Sequence, residues 1–144
     1  MISSGNIIHI ENFDFEDGSE PKNKFFLVIY CEDETATIVQ VFPTSQGSHT
    51  SAARRVHGCN NQSVHFYLFT ANTPVAEKGD GSPYSFSKDT YIYLRNVIVS
   101  TSSKLSKYTS QMKLVAKLTD AELTELIKCL KGSNQTLNEV KNIL

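Results

Sequence analysis

Long apolar runs are absent from this chain of 144 residues. The longest uninterrupted apolar stretch spans residues 25–31, whereas a membrane-spanning helix needs about 20 such residues. The first residues contain neither a basic segment nor an apolar segment of signal-peptide length. We therefore expect a chain that contacts no membrane and is not exported through a signal peptide.

Cysteine is scarce as well. Cys31, Cys59 and Cys129 are widely spaced and odd in number, which predicts neither a disulfide framework nor a CxxC metal site and favours a reducing cytoplasm. The four histidines do not stand at ligand spacing with these cysteines, so no metal is expected. Gly79 and Gly81 lack the Lys-Ser/Thr pair of a phosphate-binding loop, which argues against nucleotide hydrolysis. We expect no cofactor.

Acidic residues are missing from one long segment. Between Thr35 and Ala76 there is no Asp or Glu, whereas residues 1–34 hold eight acids against two lysines and residues 77–118 hold seven bases against three acids. If the central residues fold onto one face, that face would attract a polyanion such as a nucleic acid. A scattered, solvated set of charges is the equally open alternative.

The composition is that of a globular protein. Apolar residues make up 40% of the chain and aromatic residues 10%, which predicts a single domain over residues 1–144. Runs rich in β-branched and aromatic residues predict strands at 5–12, 24–31, 35–42, 64–70, 90–100 and 111–118. The second and third runs suggest an antiparallel hairpin, and the fifth is broken around Arg95 and Asn96. Two long polar segments, 45–63 and 71–88, are typical of binding loops.

Helices are predicted only at the C-terminal end. Thr119 and Glu122 form a capping box, in which the Thr119 hydroxyl accepts from the Glu122 amide and the Glu122 side chain reaches back. Apolar residues then recur at helical spacing until Gly132, and a shorter helix is predicted over 135–144. Strands followed by helices predict a mainly β fold with C-terminal α, built as a small, strongly curved antiparallel sheet or barrel.

Polar residues at two strand ends suggest a site. Lys24 opens the first strand of the predicted hairpin, and Thr44 and Ser45 follow its second strand. Because the start of one strand lies opposite the end of the other, we expect these three residues to be neighbours. An ammonium beside two hydroxyls suits a phosphate. An ordinary strand end, with Pro43 marking a turn, is the alternative.

The order of motifs in this chain resembles the PemK/MazF family of toxin endoribonucleases. The motifs are GNIIHI at 5–10, Phe13 and Phe15, DGSE at 17–20, KFFLVIY at 24–30, VFPTSQ at 41–46, SKDTYIYL at 87–94 and the amphipathic helix that follows Thr119. The resemblance implies an SH3-like barrel, usually a homodimer, that cleaves single-stranded RNA without a metal. It also implies inhibition by a cognate antitoxin, either protein or RNA.

The resemblance also implies which residues are catalytic. The family places a basic residue, commonly Arg, at the position of Lys24 and a Thr at the position of Thr44. A Lys loses the bidentate fork of an Arg, so the set Lys24, Thr44 and Ser45 looks closer to the ToxN-like variant of the barrel. Cleavage by the 2′-OH of the RNA needs charge stabilisation, a base and an acid, and no metal is obligatory. Lys24 would neutralise the phosphorane or the leaving group, while Thr44 and Ser45 hold phosphate oxygens.

Further residues are candidates for contact with RNA. Gln46 is a candidate for a base or sugar edge, and His49 for a general base, although a lone loop histidine is more often surface decoration. Arg54 and Arg55 suit contacts to the phosphate backbone, against the alternative of a solvated loop. Five strand aromatics could stack on bases or form the core: Phe66, Tyr67, Phe69, Tyr91 and Tyr93. His57 and His65 are weaker candidates, and His65 is expected to face solvent.

Two other functions remain open at this level. One is a non-catalytic SH3-like module that binds a protein or nucleic acid at the same rim, which a Lys at position 24 favours. The other is a toxin that acts on a protein target, for which Lys24 would not have to lie beside Thr44.

Overall fold

The computed structural model describes residues 2–14, 17–20, 22–32, 36–45, 47 and 56–144. The strands within these ranges are β1 (Asn6–Phe13), β2 (Lys22–Glu32), β3 (Thr37–Val41), β4 (Gly58–Asn61), β5 (His65–Phe69), β6 (Ala76–Glu77), β7 (Pro83–Tyr84), β8 (Thr90–Tyr93), β9 (Ile98–Thr101) and β10 (Met112–Leu118). The helices are α1 (Ser102–Ser106), α2 (Asp120–Gly132) and α3 (Asn138–Ile143).

The strands form two antiparallel sheets. Seven strands lie in the order β7-β6-β10-β1-β2-β3-β9, and three lie in the order β4-β5-β8. An isolated bridge between Thr44 and Tyr91 joins the two sheets. The mainly β fold with C-terminal helices is therefore confirmed, whereas the strands do not close into a barrel over the part of the chain that the structure describes.

The central strands β1, β2 and β3 of the large sheet are buried on both faces, and their successive residues join two different clusters because they point to opposite sides. On one face Ile7 and Leu27 join the main core with Tyr67 and Phe69 of the small sheet and with the apolar side of α2. On the other face the neighbouring residues Ile8 and Phe26 pack with Leu105 of α1 and with Tyr108. These three strands are therefore packed from both sides, which fixes the position of the start of β2 and the end of β3.

The long loops predicted at 45–63 and 71–88 contain strands that the sequence did not reveal. The first includes β4, whose residues Gly-Cys-Asn-Asn show no apolar alternation. The second includes the β6–β7 hairpin, in which the Lys78 amide donates to the Ser82 carbonyl at 2.8 Å. Strands of two residues are too short for a period-two pattern to appear.

Helix α2 begins directly after Thr119, as the sequence predicted, but only one of the two hydrogen bonds of the capping box forms. The Thr119 hydroxyl accepts a hydrogen bond from the Glu122 amide at 3.2 Å, as expected. The Thr119 amide donates to the Val75 carbonyl at 3.1 Å instead of to Glu122. The prediction that Glu122 reaches back was wrong because its carboxylate binds His57 and Tyr67.

A disulfide joins Cys59 on β4 to Cys129 on α2, with their Cα atoms 5.6 Å apart. The prediction that these cysteines build no disulfide was therefore wrong. The two residues are 70 positions apart, and only the packing of α2 against the small sheet brings them together. Disulfides persist mainly in oxidising environments, so cysteine usage no longer supports a reducing cytoplasm, and the cytoplasmic location stays a prediction.

Candidate functional site

A cavity of about 410 Å³ lies where β2 begins and β3 has ended. Its lining includes all three residues predicted to be catalytic: Lys24 from β2, and Thr44 and Ser45 from the segment after β3. The rest of the lining comes from the neighbours of these residues and from the β7–β8 region: Asn23, Phe25, Pro43, Tyr84, Phe86, Ser87, Lys88 and Thr90. The cavity has the volume of a small-ligand site.

The pairing of β2 with β3 explains why Lys24 and Thr44 meet. Leu27 pairs with Val41, and continuing this antiparallel register by three residues sets Lys24 opposite Thr44. Pro43 has no amide hydrogen, which suits a position where the ladder ends. Beyond it the Thr44 amide donates to the Tyr91 carbonyl at 3.1 Å, and the Tyr91 amide donates to the Thr44 carbonyl at 2.7 Å. The end of β3 is thereby held against β8.

The far wall of the cavity is formed by the segment that enters β8. The Thr90 hydroxyl donates to the Lys88 carbonyl at 2.9 Å, and the Asp89 carboxylate accepts from the Ala71 amide at 2.8 Å. Thr90 also pairs with Phe69 of β5. These contacts hold the backbone of Lys88 in place while its side chain is exposed. The site assignment from sequence missed Lys88, although it belongs to the motif 87–94.

The described lining of the cavity is positively charged. It contains the two lysines Lys24 and Lys88 and no carboxylate, together with Thr44 and Ser45, whereas the Thr90 hydroxyl already donates to the Lys88 carbonyl. Burial raises the pKa of the Tyr84 hydroxyl, which therefore stays neutral and able to donate a hydrogen bond. Hydroxyls and ammonium groups are donors suited to an oxyanion such as a phosphate.

One aromatic ring in this lining is open to solvent. Phe25 is 38% exposed, and its ring lies edge-on to His9 with 5.3 Å between the ring centroids. The five aromatics that sequence analysis considered for base stacking are buried instead, with exposures of at most 8%: Phe66, Tyr67, Phe69, Tyr91 and Tyr93. The core alternative is correct for all five. Phe25 was missed because it lies inside the longest apolar run.

Four of the predicted RNA contacts lie outside the described residues, namely Gln46, His49, Arg54 and Arg55. Gly47, between the first two, is described and lies directly against the Tyr91 ring. A Cβ atom at this position would stand 2.1 Å from Cζ of Tyr91. Only glycine permits this close approach of the backbone to the ring.

The two histidines considered weaker candidates have structural partners. Nδ1 of His57 lies 2.9 Å from the Thr70 hydroxyl and 3.2 Å from the Thr70 amide, and Nε2 lies 2.6 Å from the Glu122 carboxylate. Tyr67 donates to the second oxygen of the same carboxylate. His65 does not simply face solvent, because its Nδ1 lies 2.6 Å from the Ser133 hydroxyl. Neither histidine lines the cavity.

A larger cavity of about 620 Å³ lies beneath α1, on the face of the large sheet where Ile8 packs with Leu105. Its lining is mostly apolar side chains and small hydroxyls, and Glu32 is its one charged residue among those described. A negative charge in an apolar cavity does not suit a phosphate. The smaller cavity is therefore the better candidate for an anionic ligand.

No helix in the ranges that the structure describes is long and apolar enough to cross a membrane. No group of three His, Cys, Asp or Glu side chains within them could hold a metal ion. Comparison with family models, with curated proteins and with solved structures found no match to this chain.

Proposed function

We propose that this protein is a metal-independent endoribonuclease toxin of the PemK/MazF-like kind, with an SH3-like barrel as its fold. The observation that supports the proposal is the shared cavity of Lys24, Thr44 and Ser45. These are the residue types that hold a phosphodiester, and they meet at the strand ends where the resemblance expects the active site.

The reaction uses the RNA itself as the nucleophile. The 2′-oxygen forms a bond to phosphorus, the bond to the 5′-oxygen breaks, and the products carry a 2′,3′-cyclic phosphate and a 5′-hydroxyl. The proton of the 2′-OH leaves to a base, and the 5′-oxygen gains a proton. Lys24 neutralises charge on the phosphorane or the leaving oxygen, and the hydroxyls of Thr44 and Ser45 orient the phosphate oxygens.

The test is cleavage of a labelled single-stranded RNA in the presence of EDTA. We expect the chain to cut RNA and to leave DNA intact, because DNA lacks the 2′-OH. Lys24→Ala and Thr44→Ala should each lower kcat by about 100-fold to 1,000-fold, the cost of removing one group that stabilises developing charge. Lys104→Ala is the matched control, since Lys104 is exposed on α1 and does not line the cavity. Intact RNA under all conditions would refute the proposal.

The proposal includes two partners that the resemblance implies. One is a second copy of the chain, which predicts a homodimer in solution by light scattering. The other is a cognate antitoxin, protein or RNA, whose co-expression should relieve the growth arrest that the toxin causes.

A non-catalytic binding module is the second candidate. It is favoured by the cavity lining, because no histidine or carboxylate among the described lining residues could act as a general base. This candidate predicts saturable RNA binding that depends on Lys24 without any turnover.

A further inference from the structure

The cavity is lined by more residues able to bind RNA than a single phosphate requires. Lys24, Thr44 and Ser45 account for a single phosphodiester, whereas Lys88 and Phe25 also line the cavity and have no role in that reaction. Phe25 follows Lys24 on β2, so its side chain points to the other side of the strand and would meet a different part of a bound nucleic acid. Lys88 belongs to the segment that enters β8, so it lines the cavity from a different element than Lys24 does.

Phe25 is unusual among the large apolar residues because it is open to solvent in a charged cavity. Its neighbours along β2, Phe26 and Leu27, are 0% and 1% exposed, whereas Phe25 is 38% exposed. Its ring contacts His9, and part of the ring surface is accessible to solvent. An aromatic ring beside positive charge is the arrangement on which single-stranded nucleic acids stack their bases.

Lys88 has the properties of a contact to the backbone of a nucleic acid. Its side chain is exposed, and the bond from Thr90 to its carbonyl, together with the bond from Ala71 to Asp89, holds its main chain. A lysine whose main chain is held in this way presents a point charge near the cavity, which suits a contact to a phosphate.

We propose that Phe25 and Lys88 form a nucleotide subsite next to the scissile phosphate. A base of the single-stranded RNA stacks on Phe25, and Lys88 binds a phosphate of the same strand other than the one held by Lys24. The subsite rests on the proposed function for the position of the scissile phosphate, but its binding chemistry can be measured without cleavage.

The experiment measures binding by fluorescence anisotropy at several salt concentrations. The first probe is a labelled RNA of mixed sequence with 2′-fluoro groups, which cannot attack the phosphate. The second probe is the same sugar-phosphate backbone without bases. The variants are Phe25→Leu and Lys88→Gln, with Lys104→Gln as the control, and thermal unfolding verifies that each variant is folded.

Phe25→Leu should weaken binding of the first probe about tenfold and leave its salt dependence and its binding of the second probe unchanged. Lys88→Gln should weaken binding of both probes and lower the slope of log affinity against log salt by about 0.7, the loss of one phosphate contact on a single strand. Lys104→Gln should bind like the unmodified protein.

The subsite is overturned if both variants bind like the control, or if Phe25→Leu weakens binding of the two probes equally. Binding that changes as expected in a protein that cuts no RNA would retain the subsite and refute the nuclease. If cleavage is lost in Lys24→Ala while Phe25→Leu and Lys88→Gln bind RNA like the control, the nuclease is retained and the subsite is refuted. The subsite is also overturned if the unmodified protein binds neither of the two probes.

Discussion

The disulfide between Cys59 and Cys129 should account for a large part of the stability of this protein. It closes a loop of 70 residues between β4 and α2. Cross-linking a loop of that length removes conformational entropy from the unfolded chain equivalent to about 4 kcal/mol at 25 °C. For a domain of 144 residues this corresponds to a fall in Tm of about 10–15 °C when the bond is broken.

Two perturbations separate the cross-link from the packing of the sulfur atoms. Reduction of the unmodified protein breaks the bond and leaves both sulfurs in place, whereas Cys59→Ala with Cys129→Ala also removes them. Urea unfolding should show a loss of about 4 kcal/mol on reduction and a somewhat larger loss for the double variant, because Cys129 is only 5% exposed. Cys31→Ala, which removes the free cysteine, is the control and should still respond to reduction.

Counting thiols tests the premise directly. The oxidised protein, unfolded without reductant, should expose one reactive thiol, that of Cys31, and the reduced protein should expose three. Three thiols before reduction, or a change in unfolding free energy below about 1 kcal/mol on reduction, would refute the entropic argument.

Two further predictions concern Tyr91 and Tyr67. Gly47→Ala should reduce RNA cleavage and lower Tm, because its Cβ would overlap the Tyr91 ring beside the Thr44 bridge, whereas Gly79→Ala should change neither, since nothing lies within 4 Å of its Cβ. Equal activity and Tm in both variants would contradict this reasoning. Burial, followed by the hydrogen bond to Glu122, raises the pKa of Tyr67. The folded chain therefore keeps a proton that the unfolded chain loses above about pH 10, so the free energy of unfolding should fall as the pH rises past that value. Tyr67→Phe should flatten this fall in urea unfolding between pH 9 and 11; an unchanged slope would count against it.

The elements that depend on neighbouring residues were predictable from the sequence. The Thr119 hydroxyl caps α2 because the amide that it accepts from is three residues away, and this geometry follows from the helix itself. The break that the sequence predicted in the strand near Arg95 is also local. There β8 ends, a 3₁₀ turn spans Leu94–Asn96, and β9 begins after it.

Where a side chain had a choice of partner, the sequence did not decide it. Glu122 could have returned to the Thr119 amide, but His57 and Tyr67 provide two partners for its carboxylate. These residues lie more than fifty positions away in the chain, and α2 meets them only after it has packed on the small sheet.

The candidate site likewise contains residues that the sequence predicted to be neighbours and residues that only tertiary packing brings to it. The sequence predicted that Lys24 and Thr44 should be neighbours, because the start of one strand of an antiparallel hairpin lies opposite the end of the other. It did not predict the register shift between Val28 and Tyr30, which changes the pairing of the two strands by one residue. The position of Lys88 beside them depends on the packing of the two sheets, since the Thr44–Tyr91 bridge that joins the sheets links residues 47 positions apart. Cys59 and Cys129 depend on the same packing: local order is encoded in neighbouring residues, whereas contacts between sheets and helices exist only once the core is assembled.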